Sequence, residues 1–260
     1  MTEKYLFGDT DIAARRLEVL AEVFAESSRP FLLEACANTP GLALDLGCGP
    51  GFTTHLLADA AKCGRVLGVD NSERFVALAA KTETERVSFR LHDVTSVPFP
   101  EAPGDLIYCR FLLTHLKEPQ EVIGRWATQL RHKGLMLLEE VEWVRTSNPV
   151  FETYLGIVDR MLAHQGSQLY IGPMLDRVEH ADLSKRASKV ARLRVPNRLA
   201  ATMFSMNILS WKHQPFIQAT CSPESIEQIQ QDIEAIAGTP GRKTEIEWGL
   251  RQIVFERVTP

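Results

Sequence analysis

The residues with the plainest chemistry lie between positions 45 and 58. A short apolar run, interrupted by Asp45, leads into Gly47, Gly49 and Gly51, and a helix-like pattern follows at once from Thr53 to Ala58. This predicts a strand, a tight turn and a helix. Without a Cβ at alternate positions the turn can take positive φ, and a ligand can lie against its backbone. The spacing is G-x-G-x-G, not the G-x-G-x-x-G of dinucleotide-binding turns. Pro50 removes an amide that would face a pyrophosphate, and Asp45 puts negative charge where a phosphate site would avoid it. The turn therefore suits a nucleoside that carries no phosphate and bears a cationic group.

Asp45-Leu46-Gly47-Cys48-Gly49-Pro50-Gly51 resembles the first motif of the class I S-adenosylmethionine-dependent methyltransferases, and the residues after it extend the match. Positions 65–70 read as a second buried strand closing on Asp70, 87–94 as a third closing on Asp93, 105–110 as a fourth, and 135–140, after Gly134, as a fifth. The match covers roughly residues 40–142. It implies an α/β, Rossmann-like methyltransferase fold: a doubly wound, mostly parallel seven-stranded sheet with an antiparallel last strand. To this are added a helical N-terminal segment and a helical insertion before the last strand.

The resemblance also implies S-adenosyl-L-methionine as cofactor. Gly47 to Gly51, with Asp45 and Cys48, would hold its methionine portion. Asp70 with Asn71 would hold the ribose, since an acceptor-only carboxylate can take two hydrogen bonds from a diol. Asp93 and Val94, with His92, would meet the adenine, and Cys109 and Arg110 would line the transfer pocket. Asp70 can also cap the helix that follows, with Asn71 and Ser72. For Asp93 the competing role is the cap of a turn before Pro98.

Strands alternating with helices over 41–142, the cofactor-binding core, imply parallel strands joined by right-handed crossovers, with ligands beyond the carboxyl ends. Residues 1–40 read as two helices. The first carries Ile12, Leu17, Leu20, Val23 and Phe24, and the second restarts at Ser28 and Pro30. They either pack on the sheet edge or form a lid, with Tyr5 or Arg16 touching ligand. After 142 come a helix from Pro149 to Gly166, a strand over 189–195, a helical insertion at 196–247 and a final strand at 250–258. The insertion is a substrate cap or a homodimer face. No linker or repeat interrupts the chain, which is read as one domain, 1–260.

Net charge is −4, which gives no bulk attraction to nucleic acid. Five cysteines without a C-x-x-C pair suggest neither a disulfide framework nor a zinc site, so no metal is expected. No apolar run reaches membrane-spanning length and the first residues do not read as a signal peptide, so a cytoplasmic protein acting on a small molecule is the expectation.

Methyl transfer is an in-line displacement at carbon, in which alignment and a shielded pocket supply much of the rate. A base is needed only when the nucleophile holds its proton. His115 is the candidate, in a stretch resembling the one that starts the helix after strand four in small-molecule methyltransferases; its alternative is a histidine hydrogen-bonded at the sheet rim. Tyr108-Cys109-Arg110-Phe111 departs from the Asn/Asp-Pro-Pro-Tyr tetrapeptide of nucleic-acid and protein-amide methyltransferases. His164 and His213 are further candidates to reach a substrate. Glu139, Glu140 and Glu142 face either the substrate or solvent. A protein or RNA methyltransferase, a nicotinamide-dependent oxidoreductase and a non-catalytic relative are the competing readings. Asp45, Pro50 and the glycine spacing oppose the oxidoreductase.

Overall fold

The structure, a computed structural model, describes residues 10–36, 38–239 and 245–259. Strand β1 (Leu42–Leu46) is buried at every residue and lies in the middle of the sheet. Around it run β2 (Arg65–Asp70), β3 (Val87–Leu91), β4 (Gly104–Arg110), β5 (Leu130–Arg145), β6 (Leu183–Pro196) and β7 (Glu245–Arg257), in the spatial order β3-β2-β1-β4-β5-β7-β6. Neighbours among β1 to β5 are parallel, and β7 runs antiparallel to both β5 and β6. The strand order reverses between β1 and β4, where doubly wound sheets open a crevice.

Alternation along β1 assigns its two faces. Ala43 joins a core with Phe31 and Leu32 of α1 (Asp11–Ala35) and with Leu57 and Ala58 of α2 (Phe52–Ala60), and α3 (Glu73–Ala79) adds Ala79. Leu42, Leu44 and Leu46 join the opposite core with Val122, Ile123 and Trp126 of α4 (Pro119–Ala127). A third cluster lies beyond the sheet. It unites α5 (Pro149–His164) with α7 (Asn197–Trp211) and α9 (Pro223–Gly238), and Ile246, Trp248 and Leu250 of β7 pack into it; the short α6 (Gly172–Leu175) and α8 (Pro215–Thr220) lie between the longer helices in sequence.

Several boundaries differ from the sequence reading: β3 ends at Leu91, β5 begins at Leu130 and β6 begins at Leu183. Positions 11–35 form one helix, not two, with Pro30 inside it. The final strand begins at Glu245, so its first residues overlap the range assigned to the insertion. Edge strand β6 presents Lys185, Arg186, Lys189, Arg192 and Arg194 to solvent, a charged border that discourages pairing with another sheet. Among the described residues no helix is long and apolar enough to cross a membrane, and no group of three His, Cys, Asp or Glu could hold a metal. Tyr5 lies outside the described residues.

Candidate active site

The turn between β1 and α2 takes positive φ at Gly47 (70°), Gly49 (52°) and Gly51 (94°). At Gly51 a Cβ would also come within 2.7 Å of the Phe89 ring, so neither backbone nor space admits a side chain there. The amides of the turn are already committed. Gly47 and Cys48 both donate to the Val69 carbonyl, Gly51 donates to Cys48, and Gly49 donates to Asp70 Oδ2 at 2.9 Å. Pro50 has none. Asp70 Oδ1 accepts from the Ser72 amide at 2.9 Å, so this carboxyl braces the turn against the start of α3.

Asp45 lies beneath the turn, on the α2 face of β1, and is fully buried. Thr53 and Thr54 both donate hydroxyls to its Oδ2 at 2.7 Å. Burial pushes its pKa up to about 6, against the lowering effects of the two hydroxyls and of Arg110. Arg110, at the tip of β4, donates to Ser28 Oγ at 2.9 Å. Phe111, next in the chain, is a bulky residue held at φ 56°, the kind of backbone outlier that persists where surrounding structure enforces it. Its ring meets Phe24 of α1 edge-on at 4.9 Å, with the Arg110 guanidinium 5.5 Å from its centroid.

Glu139 and Glu140, at the end of the β4–β5 pairing, are fully buried, so neither belongs to a solvated rim. Glu139 accepts from Ser27, Ser28, Tyr108 and Gln252, which joins α1 to β4, β5 and β7. Glu140 Oε1 accepts the amides of Leu112 (2.8 Å) and Leu113 (2.7 Å). Burial raises the Glu140 pKa to about 8 despite those amides. Glu142 forms a two-pronged ion pair with Arg251, at 2.7 and 2.9 Å.

These tips open into one cavity of about 250 Å3. Its lining takes Gly47, Cys48, Gly49 and Pro50 from the turn, Asp70 at the end of β2 with Asn71 after it, Arg110 at the end of β4 with Phe111 and His115 after it, and Glu140 of β5. Phe52 and Thr53 of α2, Phe75 of α3 and Val141 and Val144 of β5 also line it, and much of the rest is α1, α5, α7 and Trp248, including Arg16, whose Nη1 donates to Asn207 at 2.9 Å. His115, in a single 3-10 turn at Leu113–His115, is pushed down to about 3 by burial and by nearby Arg16.

The third strand tip lies outside this lining. Asp93 Oδ1 accepts from the amide and hydroxyl of Thr95, the geometry of a turn cap. Val94 is buried in the α4-side core, where its carbonyl accepts from Trp126 Nε1 at 2.8 Å, and His92 Nε2 pairs with the Ser96 carbonyl. Cys109 packs into the same core, and Gly51 faces Phe89. His164, stacked on Phe216, and His213 are exposed and line no part of the cavity. The aromatic wall of Tyr154, Phe204 and Trp248 carries no local signal in the sequence, because each residue reads there as ordinary helical or strand core.

Residues 44–138, from β1 into β5, match the family described as methyltransferase domain. With a glycine turn, a β2-tip acid and this strand order in place, that match decides the assignment. The core of this chain is a class I S-adenosylmethionine-dependent methyltransferase domain. Among curated relatives, trans-aconitate 2-methyltransferase of Variovorax paradoxus is 36% identical over 97 residues, 37% of this chain and 37% of that protein. An uncharacterized 37.1 kDa protein of transposon TN4556 from Streptomyces fradiae is 33% identical over 124 residues, 46% of this chain and 36% of that one. The chain thus spans little more than a third of the length of these relatives. Coclaurine N-methyltransferase, solved with N-methylheliamine and S-adenosylhomocysteine, superposes with a TM-score of 0.58 at 17% identity, over 90% of this chain and 72% of that one. N-methyltransferase NodS of Bradyrhizobium japonicum, solved with S-adenosylhomocysteine, gives 0.52 at 12% identity, over 90% and 87%. At such identities the methyltransferase domain shares its fold with these two proteins.

Proposed function

We propose that the chain transfers a methyl group from S-adenosylmethionine to an oxygen, nitrogen or carbon atom of a small organic molecule. The observation that supports this most is the bonding of the glycine turn. Every amide it has is spent inside the protein, so it offers a phosphate nothing, while the Asp70 carboxyl, an acceptor-only group, lines the cavity beside it. The named relatives, whose names give trans-aconitate as acceptor, favour a small molecule.

When bound, S-adenosylmethionine supplies a methyl group activated on a sulfonium sulfur. Asp70 and Asn71 would hold the ribose, and the backbone of Gly47 to Gly49 would carry the methionine portion. Phe24 and Phe111 keep water from the reacting centre and offer ring faces, which suit a cation. Glu140 lines the cavity and, in its ionised form, can take the acceptor's proton; with a pKa of about 8 that form grows as pH rises toward and past 8. His115, depressed to about 3, serves as a hydrogen-bond partner rather than a base. His92, Asp93 and Val94 would approach the adenine only from beyond the cavity wall.

Calorimetric titration with S-adenosylmethionine, S-adenosylhomocysteine and NADH tests the reading. The first two are expected to bind and NADH is not, and silence from both sulfur nucleosides overturns the proposal. Asp70→Ala should weaken S-adenosylhomocysteine binding at least about tenfold, since each hydrogen bond to a charged group contributes roughly 1.5–3 kcal/mol. Unchanged affinity would refute its ribose role.

A further inference from the structure

The cavity is chemically divided. On the side of β1 and β2 its wall is turn backbone, Thr53, Asp70 and Asn71 with the rings of Phe52 and Phe75; on the side of α1, α5 and α7 it is mostly aromatic and aliphatic, with Arg16 and Asn207 as its polar groups. Phe24 meets Phe111 at 4.9 Å and Trp248 at 5.7 Å, both edge-on, and Phe204 stacks on Tyr154 at 4.2 Å. Offset and edge-to-face geometries at these separations are those that bind a further ring well. Both cations of the lining are already engaged with protein: Arg16 pairs with Asn207, and Arg110 pairs with Ser28 beside Asp45. The acids facing the same space are Asp70 and Glu140. A ligand with several carboxylates would surrender its hydration to a largely apolar wall, where the cations it meets are two arginines already hydrogen-bonded to Asn207 and Ser28, and these repay only part of that cost.

We propose that the acceptor taken by this cavity is a largely apolar, ring-bearing molecule that presents one hydroxyl or amine toward Glu140, and not a polycarboxylate of the trans-aconitate kind. This rests on the methyl-transfer reading above and narrows it to a substrate class. The insertion contributes Met203, Phe204 and Asn207, so it acts as part of the acceptor wall.

The test saturates the protein with S-adenosylhomocysteine and then titrates it, calorimetrically, with 2-naphthol and separately with trans-aconitate. Saturable binding of 2-naphthol and none of trans-aconitate is expected. Phe204→Ala and the milder Leu155→Asn, on half-buried α5 surface of the same wall, should each weaken 2-naphthol about tenfold with the S-adenosylhomocysteine affinity retained. Binding of trans-aconitate in preference to 2-naphthol overturns the inference, as does failure of 2-naphthol to bind the loaded protein. So does 2-naphthol binding that neither variant weakens, which places the probe elsewhere. Failure of S-adenosylhomocysteine itself to bind instead removes the methyl-transfer reading, and the acceptor role with it.

Discussion

Glu140 is held by two opposed influences, and their balance has a measurable consequence. The Leu112 and Leu113 amides favour its charged form, while complete burial and neighbouring Glu139 favour the neutral one, and burial wins. A carboxyl whose folded pKa stands near 8 binds its proton more tightly in the native than in the unfolded chain, where the ordinary value is about 4.3. Its contribution to stability is therefore complete below about pH 4.3 and is lost as pH rises toward 8, at about 1.4 kcal/mol for each unit of displacement. Glu140→Gln keeps an oxygen for the two amides and never ionises. The variant's melting temperature relative to the parent should climb between pH 5 and pH 8 and level off above that. Asp45, with its pKa near 6, titrates in both proteins and cancels in the difference. A flat difference across this range would show that Glu140 is not held neutral by the fold.

Helix α1 shows how an element can escape its local signal. Ser28 and Pro30 predict a break, since proline inside a helix costs about 3 kcal/mol. The carbonyl that loses its partner is that of Glu26, and both residues are exposed, so water can replace the bond. Continuing the helix buries Phe31 and Leu32, each worth roughly 1.5–3 kcal/mol, and delivers Ser28 to Glu139 and Arg110. Long-range burial outweighs the local penalty, and nothing within 25 residues of sequence announces it. The conformation of the glycine turn and the place of Asp70 at the end of β2 were readable because they depend on spacing and backbone freedom. Glu139 was not, because its partners come from three other elements, α1, β4 and β7. Ser28→Ala removes one of the two hydroxyl links from α1 to Glu139, and the contact with Arg110, without opening a large cavity. It should cost about 1–3 kcal/mol in urea unfolding and raise amide hydrogen exchange along α1 more than along α4. Equal exchange in the two helices would show that the Ser28 hydroxyl does not hold α1 in place.

At the scale of the molecule, the sheet order and the edge where the parallel strands end were legible because parallel strands impose a period and a direction that the sequence states locally. The third strand tip was less so: an acid before a turn reads the same whether it faces a ligand or, like Asp93, the backbone two residues on. The acceptor wall was least legible of all, since it exists only where α1, α5, α7 and β7 meet, elements drawn from both ends of the chain. That wall is supported from behind by α9, whose Ile233 is completely buried against the same cluster yet lines no part of the cavity. Ile233→Ala should cost about 2–5 kcal/mol by the lost contacts and the void left behind. If the insertion shapes the acceptor wall, the loosened support should weaken 2-naphthol binding severalfold with S-adenosylhomocysteine affinity unchanged, because the cofactor edge is built on β1 and β2. If instead both ligands weaken together, the insertion and the cofactor edge form one cooperative unit, and the division of the cavity into two chemically independent halves fails.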